Sequence, residues 1–270
     1  MSRRKVRKRE EKQKESFFAS TARRFLDTFM LTWYNNTKEE RIGDGKMKKE
    51  LCIATYNVRH GGDVPLDVGC IGRFLADSNV DIAGLQEIDV GTHRMKGMDV
   101  LANIAEGGVY PYSYFAKAMA FDGGGYGVGI VSRYPILEAQ TIPLFSGGEE
   151  PRVLCRAVLD VGWGKLNFFN THTSYESKEI RTRQLEKIGT HLAECKDFIL
   201  TGDFNTADLG EFSAFPSCST VNSNEYPSFY ATGEGIDNIF VSNNFHILKS
   251  TMPTTLLSDH YPILSLVEKG

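Results

Sequence analysis

Several short apolar runs in this chain stop at a polar or ionisable residue. That pattern constrains the fold more than any other feature. Leu51-Cys52-Ile53-Ala54-Thr55-Tyr56 runs into Asn57, and Asp81-Ile82-Ala83-Gly84-Leu85 runs into Gln86-Glu87. Between them, Asp67–Ser78 has helical spacing, with Val68, Ile71, Phe74 and Leu75 on one face. Strand, helix and strand, with polar groups at the strand ends, form an α/β signature. Ligands of such sheets commonly sit beyond the carboxyl ends of the strands.

The later sequence is richer in strands. Gly127–Ser132 reads as a strand closed by Arg133-Tyr134-Pro135, and Gly162-Trp163-Gly164 joins Val153–Val161 to Leu166–Asn170 as a hairpin. Ser177–Cys195 has helical periodicity, with Ile180, Leu185, Ile188 and Leu192 as its buried face. Asp197–Thr201 is a strand running into Gly202-Asp203-Phe204-Asn205, and Ile236–Ser242 and Ile263–Val267 are late strands. No repeat of fixed period is present.

Charge divides the chain in two. Residues 1–46 hold 13 Lys/Arg against 7 Asp/Glu, a net of +6, whereas residues 47–270 hold 18 against 27, a net of −9. The expected organisation is a basic, poorly ordered tail over 1–46 and one α/β domain over 47–270. The tail has two further readings. Phe18, Phe25, Phe29 and Trp33 can share one side of an amphipathic helix that touches a membrane surface or an anionic partner. Alternatively, Met47-Lys48-Lys49-Glu50 is the natural start and the tail is not translated. No uncharged apolar run reaches the roughly 18 residues that cross a bilayer. The five cysteines are odd in number and contain no CxxC pair. A reducing, cytoplasmic location is therefore expected.

The strand ends carry Tyr56-Asn57, Gln86-Glu87, Asn170-Thr171-His172-Thr173, Gly202-Asp203-Phe204-Asn205, Ile236-Asp237-Asn238 and Ser258-Asp259-His260. Each alone has an ordinary structural explanation, as a helix cap, a turn or a satisfied histidine. Converging at one sheet edge, they would make a site of hard oxygen ligands and imidazoles. Such a site suits Mg²⁺, or Mn²⁺, held by a few carboxylates. Zinc fits less well, since no two His or Cys residues stand at helix or knuckle spacing.

These six motifs, in this order, resemble the endonuclease/exonuclease/phosphatase superfamily over about residues 50–268. The resemblance implies a deoxyribonuclease I-like fold, a four-layer α-β-β-α sandwich with its site at one edge. It implies that Glu87 is the main Mg²⁺ ligand, with Asn57 and Asp259 beside it. Asp203 would orient or deprotonate the attacking water, and Asn205 would hold a phosphate oxygen. His260 would act as general acid/base or bind the phosphate, with Asp237 fixing its tautomer and raising its basicity. His172 would stabilise the developing charge, and Arg152 would add a phosphate contact.

Family membership does not name a substrate. His172 stands where the abasic-site endonucleases usually have asparagine, and a net of −9 does not suit a DNA-groove binder. The basic residues Lys178, Arg181, Arg183 and Lys187 alternate with Glu179 and Glu186, as on a solvated helix face with intrahelical ion pairs. The expected activity is hydrolysis of a small or lipid-linked phosphoester by a monomer. A nuclease acting on DNA or RNA is the alternative. A non-enzymatic binding module of the same fold is disfavoured, because every expected catalytic position is filled.

Overall fold

A computed structural model describes residues 49–270. The readings of the basic tail and of Met47 as a start lie outside the described residues. The strands are β1 (Glu50–Asn57), β2 (Ile82–Val90), β3 (Tyr112–Phe121), β4 (Gly124–Ser132), β5 (Ile136–Pro143), β6 (Val153–Asp160), β7 (Lys165–His172), β8 (Phe198–Asp203), β9 (Cys218–Thr220), β10 (Asp237–Ser242), β11 (Phe245–Thr251) and β12 (Ile263–Lys269). The α-helices are α1 (Gly69–Asp77), α2 (Val100–Gly107) and α3 (Lys178–Ala193).

Two six-stranded sheets stack face to face. One has the order β11-β12-β1-β2-β4-β3 and the other β5-β6-β7-β8-β10-β9. Each contains one parallel pair, β1 with β2 and β7 with β8. Helices α1 and α2 cover the first sheet and α3 covers the second, giving the expected four layers.

Period-2 alternation divides the apolar residues between the layers. Cys155, Phe168, Ile199 and Ile239 face the other sheet, where they meet Leu51, Ile53, Ile82 and Ile130. Their chain neighbours Leu154, Phe169, Leu200 and Phe240 point outward and pack on Leu185, Ile188 and Leu192 of α3. Ser177 caps α3, its side chain accepting from Ile180 N. Close approach explains two glycines. A Cβ at Gly72 of α1 would lie 1.9 Å from the Ile104 carbonyl of α2, and one at Gly84 would lie 1.9 Å from Thr201 Oγ1 of the opposite sheet.

Strands β3, β5 and β11 and helix α2 fill stretches to which the sequence reading assigns no element. The basic face of α3 also differs from expectation. Lys178 Nζ pairs with Asp208 at 2.9 Å, Arg181 with Glu211 at 2.8 Å, and Arg183 lies 3.4 Å over the Phe145 ring. These partners all lie outside the helix, so the ion pairs are tertiary rather than intrahelical.

Candidate active site

Strand register builds the site. Asp237 of β10 is opposite Asp203 of β8, and Asp203 is level with His172 of β7. Three strand ends therefore present Asp, Asp and His in one row. The first sheet adds Asn57 from the end of β1 and Glu87 from β2. The segment before β12 brings Asp259 and His260. Glu87, Arg152, His172, Asp203, Asn205, Asp259 and His260 all line one cleft of about 320 Å³. Ile236 of the Ile236-Asp237-Asn238 motif lines it as well, as do Tyr126, Glu150, Tyr175 and Phe229, which were not singled out in the sequence.

A buried polar network beneath the cleft locks the two sheets together. Gln86 Nε2 donates to Asn170 Oδ1 at 2.7 Å, and Asn170 Nδ2 donates to the carbonyls of Leu85 and Gly129 at 2.9 and 2.8 Å. The two polar residues that precede Glu87 and His172 in their motifs are thus structural. Glu87 sits at a register shift of β2 with φ 58°, an irregularity that aims its carboxylate out of the ladder. A left-handed glutamate costs on the order of 1–3 kcal/mol, strain that functional sites tolerate.

Asn57 Nδ2 donates to Glu87 Oε1 at 3.1 Å and to Asp203 Oδ2 at 2.9 Å. Its Oδ1 accepts from the Arg59 backbone N–H at 3.0 Å. Two facing carboxylates require a donor between them, so Asn57 bridges them through its nitrogen. Asp259 Oδ2 lies 3.5 Å from Arg59 Nε.

Around the buried acids, His260 Nδ1 and Asp237 Oδ2 are 2.8 Å apart, which leaves Nε2 facing Asp203 Oδ2 at 3.7 Å. The Phe229 ring stacks on His260 with centroids 4.8 Å apart. His172 Nε2 approaches Asp203 Oδ2 from the other side at 3.5 Å. The other oxygen of Asp203 accepts from Asn205 N at 3.0 Å, and Asn205 Nδ2 donates to the Thr173 carbonyl at 2.9 Å.

Charge states follow from these contacts. Burial raises the Asp203 pKa, and the neighbouring Asp237 charge raises it further. Burial opposes protonation of His260, but Asp237 and Asp203 outweigh it and hold the imidazole well above its usual range. Burial and then Arg152 push His172 well below its usual range, so it stays neutral. Burial disfavours ionised Glu87 too, yet His60, His172 and Asn57 bring its pKa down to about 2.

Two acid clusters could take a cation. Ligand atoms of Asp203, Asp237 and His260 all lie within 4.8 Å of one another. There, however, all three side chains are buried, and Asp237 Oδ2 already holds His260 Nδ1. Glu87 and Asp259 are partly exposed carboxylates on the cleft wall, with side chains 25% and 34% accessible. Accessible carboxylate oxygens of this kind fit a hard divalent cation better.

The model of the endonuclease/exonuclease/phosphatase family matches residues 54–260. The chain belongs to this family, whose members are phosphoesterases of nuclease or phosphatase type and generally depend on a divalent metal. It is an enzyme of that class. Its fold is the family's deoxyribonuclease I-like sandwich. An endonuclease/exonuclease/phosphatase from Beutenbergia cavernae is similar at a TM-score of 0.69 and 20% identity, covering 83% of this chain and 72% of that one. A humanised D. rerio TDP2 matches with a TM-score of 0.66 and 19% identity over 82% of this chain and 100% of that one. A mannosyl-6-phosphatase from Bacteroides thetaiotaomicron matches with 0.61 and 22% identity over 81% and 98%. No curated protein matches the chain significantly.

Proposed function

We propose that the protein is a Mg²⁺-dependent hydrolase of a small or lipid-linked phosphoester that uses an activated water as nucleophile and acts as a monomer. The observation that carries this reading is the convergence of Glu87, Asp203, Asp259, His172 and His260 at one cleft, with Asp237 buried behind and bonded to His260. Glu87 and Asp259 would hold the cation, which supplies charge neutralisation and polarises the phosphoryl group. Mn²⁺ has the same ligand preference.

Asp203 orients the attacking water and accepts its proton. Its raised pKa keeps it basic enough for that task near neutrality. His260, fixed by Asp237, directs its Nε2 toward the phosphoryl group and donates a proton there. Neutral His172 and the Asn205 side chain hold phosphoryl oxygens as negative charge grows in the transition state. Asn57 keeps Glu87 and Asp203 at a fixed spacing. Arg152 provides a further anion contact. A cytoplasmic location is part of the same proposal, and the five free cysteines support it.

Two observations favour a small substrate over duplex nucleic acid. The domain carries a net of −9, and Arg181 and Lys178 are already committed to Glu211 and Asp208. The nuclease alternative has its own support, since one similar structure is D. rerio TDP2 with a single-strand DNA product. A Mg²⁺-dependent panel of bis-p-nitrophenyl phosphate, p-nitrophenyl phosphate, plasmid DNA, oligo-RNA, sphingomyelin, sugar phosphates and inositol phosphates decides between them. Turnover is expected on a small or lipid-linked ester. Faster cleavage of plasmid or RNA than of any small ester overturns the substrate class.

A further inference from the structure

The cleft also holds a basic group committed to neither the cation, the attacking water nor the proton donor. Arg152 immediately precedes β6, and its side chain is 3% exposed. Its Nη1 stands 3.0 Å from Glu150 Oε1, while its Nε, also buried, has no hydrogen-bond partner. Buried guanidinium donors are normally satisfied, so an unpartnered one on a residue that lines a cleft points to a missing acceptor.

Its backbone position sets it apart from Asp203. Strands β6, β7, β8 and β10 are neighbours in that order. At about 4.8 Å per strand, Arg152 enters the edge roughly 10 Å from Asp203, and Asp237 lies one strand further away. Along that sheet edge, Asp203 and Asp237 therefore stand on one side and Arg152 on the other, with His172 of β7 between them.

Glu150 has the features of a temporary occupant. Its side chain is 29% exposed. It follows Gly147 and Gly148, whose φ values of 64° and 99° let the loop adopt conformations closed to other residues. Space around the Gly148 Cα is open. Burial, together with the charges of Glu176 and Glu87, works against the Glu150 carboxylate where it stands, although Arg152 favours it.

We propose that Arg152 recognises a second anionic group of the substrate, a phosphate or carboxylate joined to the scissile phosphoryl group through an organic spacer, and that Glu150 covers the guanidinium until this group displaces it. The planar fork of arginine suits bidentate contact with either anion. This inference rests on the phosphoesterase reading only for the position of the scissile group. A substrate with two anionic groups would be held at both ends, and a substrate with one would leave Glu150 in place.

The test uses non-hydrolysable probes and the full chain. Isothermal calorimetry with Mg²⁺ compares propylphosphonate, propane-1,3-bisphosphonate and 3-phosphonopropionate, the last separating a carboxylate source from a phosphate source. The wild type should bind at least one doubly anionic probe about tenfold tighter than propylphosphonate. Glu150→Gln removes the internal competitor. It should tighten that probe further, by about threefold or more, and leave propylphosphonate within about twofold. Arg152→Met should abolish the preference. Equal binding of all three probes by the wild type overturns the proposal, as does a preference that survives in Arg152→Met. Weaker binding of the doubly anionic probe by Glu150→Gln also overturns it, because a purely structural ion pair would behave in that way. If Arg152→Met does not fold, the Glu150→Gln comparison still decides. A panel without turnover, alongside an intact probe preference, would overturn the hydrolase reading and leave this one standing.

Discussion

The two cleft histidines carry opposite charge states because their neighbours differ. His172 is buried beside Arg152, and both effects favour the neutral ring. His260 is buried as well, yet Asp237 and Asp203 raise its pKa. Protonated His260 therefore stabilises the metal-free fold fully below its ordinary pKa of about 6.5. That contribution fades as pH rises through the raised folded value. Asp237→Asn removes the first charge responsible. The His260 titration midpoint, followed by NMR of the ring C–H, should fall toward or below about 6.5. Turnover should drop about 10²–10⁴-fold, the range associated with losing positioned acid–base catalysis. An unchanged midpoint contradicts the assignment of Asp237 as the group that sets His260.

The residues legible in the sequence were those standing at strand ends. A short apolar run fixes where a strand stops, and a polar residue at that point must leave the core. Asn57, His172 and Asp203 were found in that way, whereas Glu87 lies within β2 and Asp237 opens β10. Glu150, Tyr126, Tyr175 and Phe229 could not be, since they reach the cleft only once both sheets have stacked. Glu150 left the faintest trace, an acid two residues before Arg152. The direction in which Asn57 points was equally hidden, because it depends on Asp203 arriving from the other sheet.

At the scale of elements, the missed strands share a physical cause. β3 and β11 lie at the edges of one sheet and β5 at an edge of the other. The run Leu137–Gln140 of β5 is exposed at all four positions, and β3 buries only Ala116. Edge strands face solvent and keep little hydrophobic alternation, so periodicity does not reveal them. Central strands β1, β2, β8 and β10 are buried almost throughout and were legible as apolar runs. The tightest contact between sheets is at Gly84. A Cβ there would also press on Asn170 Oδ1 at 2.7 Å, the acceptor of Gln86. Gly84→Ala should cost about 1–3 kcal/mol through overpacking. It should lower the urea midpoint without changing the slope of the transition. A midpoint equal to that of the wild type would show that the sheets are less tightly locked than the geometry implies.

For the molecule as a whole, the sandwich brings side chains from both sheets and from the segment before β12 to one edge. The site is a property of that stacking and of no single motif. Family membership establishes phosphoester chemistry, and the account adds a specific division of labour. In the proposed division, Glu87 and Asp259 would take the cation, Asp203 would take the proton of water, and the pair Asp237–His260 would supply one. The cation assignment is the central claim, and Glu87→Gln tests it most directly, since it removes a ligand charge from the cleft wall while keeping the side chain's shape. The measurement is a Mg²⁺ titration of turnover on the best substrate of the panel, with calorimetric Mg²⁺ binding and thermal melting alongside. The account predicts wild-type activity that requires Mg²⁺ and is lost on chelation. In Glu87→Gln it predicts a fall of about 100-fold or more, weaker Mg²⁺ binding and an essentially unchanged melting temperature. Full activity with unaltered Mg²⁺ affinity in that variant would contradict it.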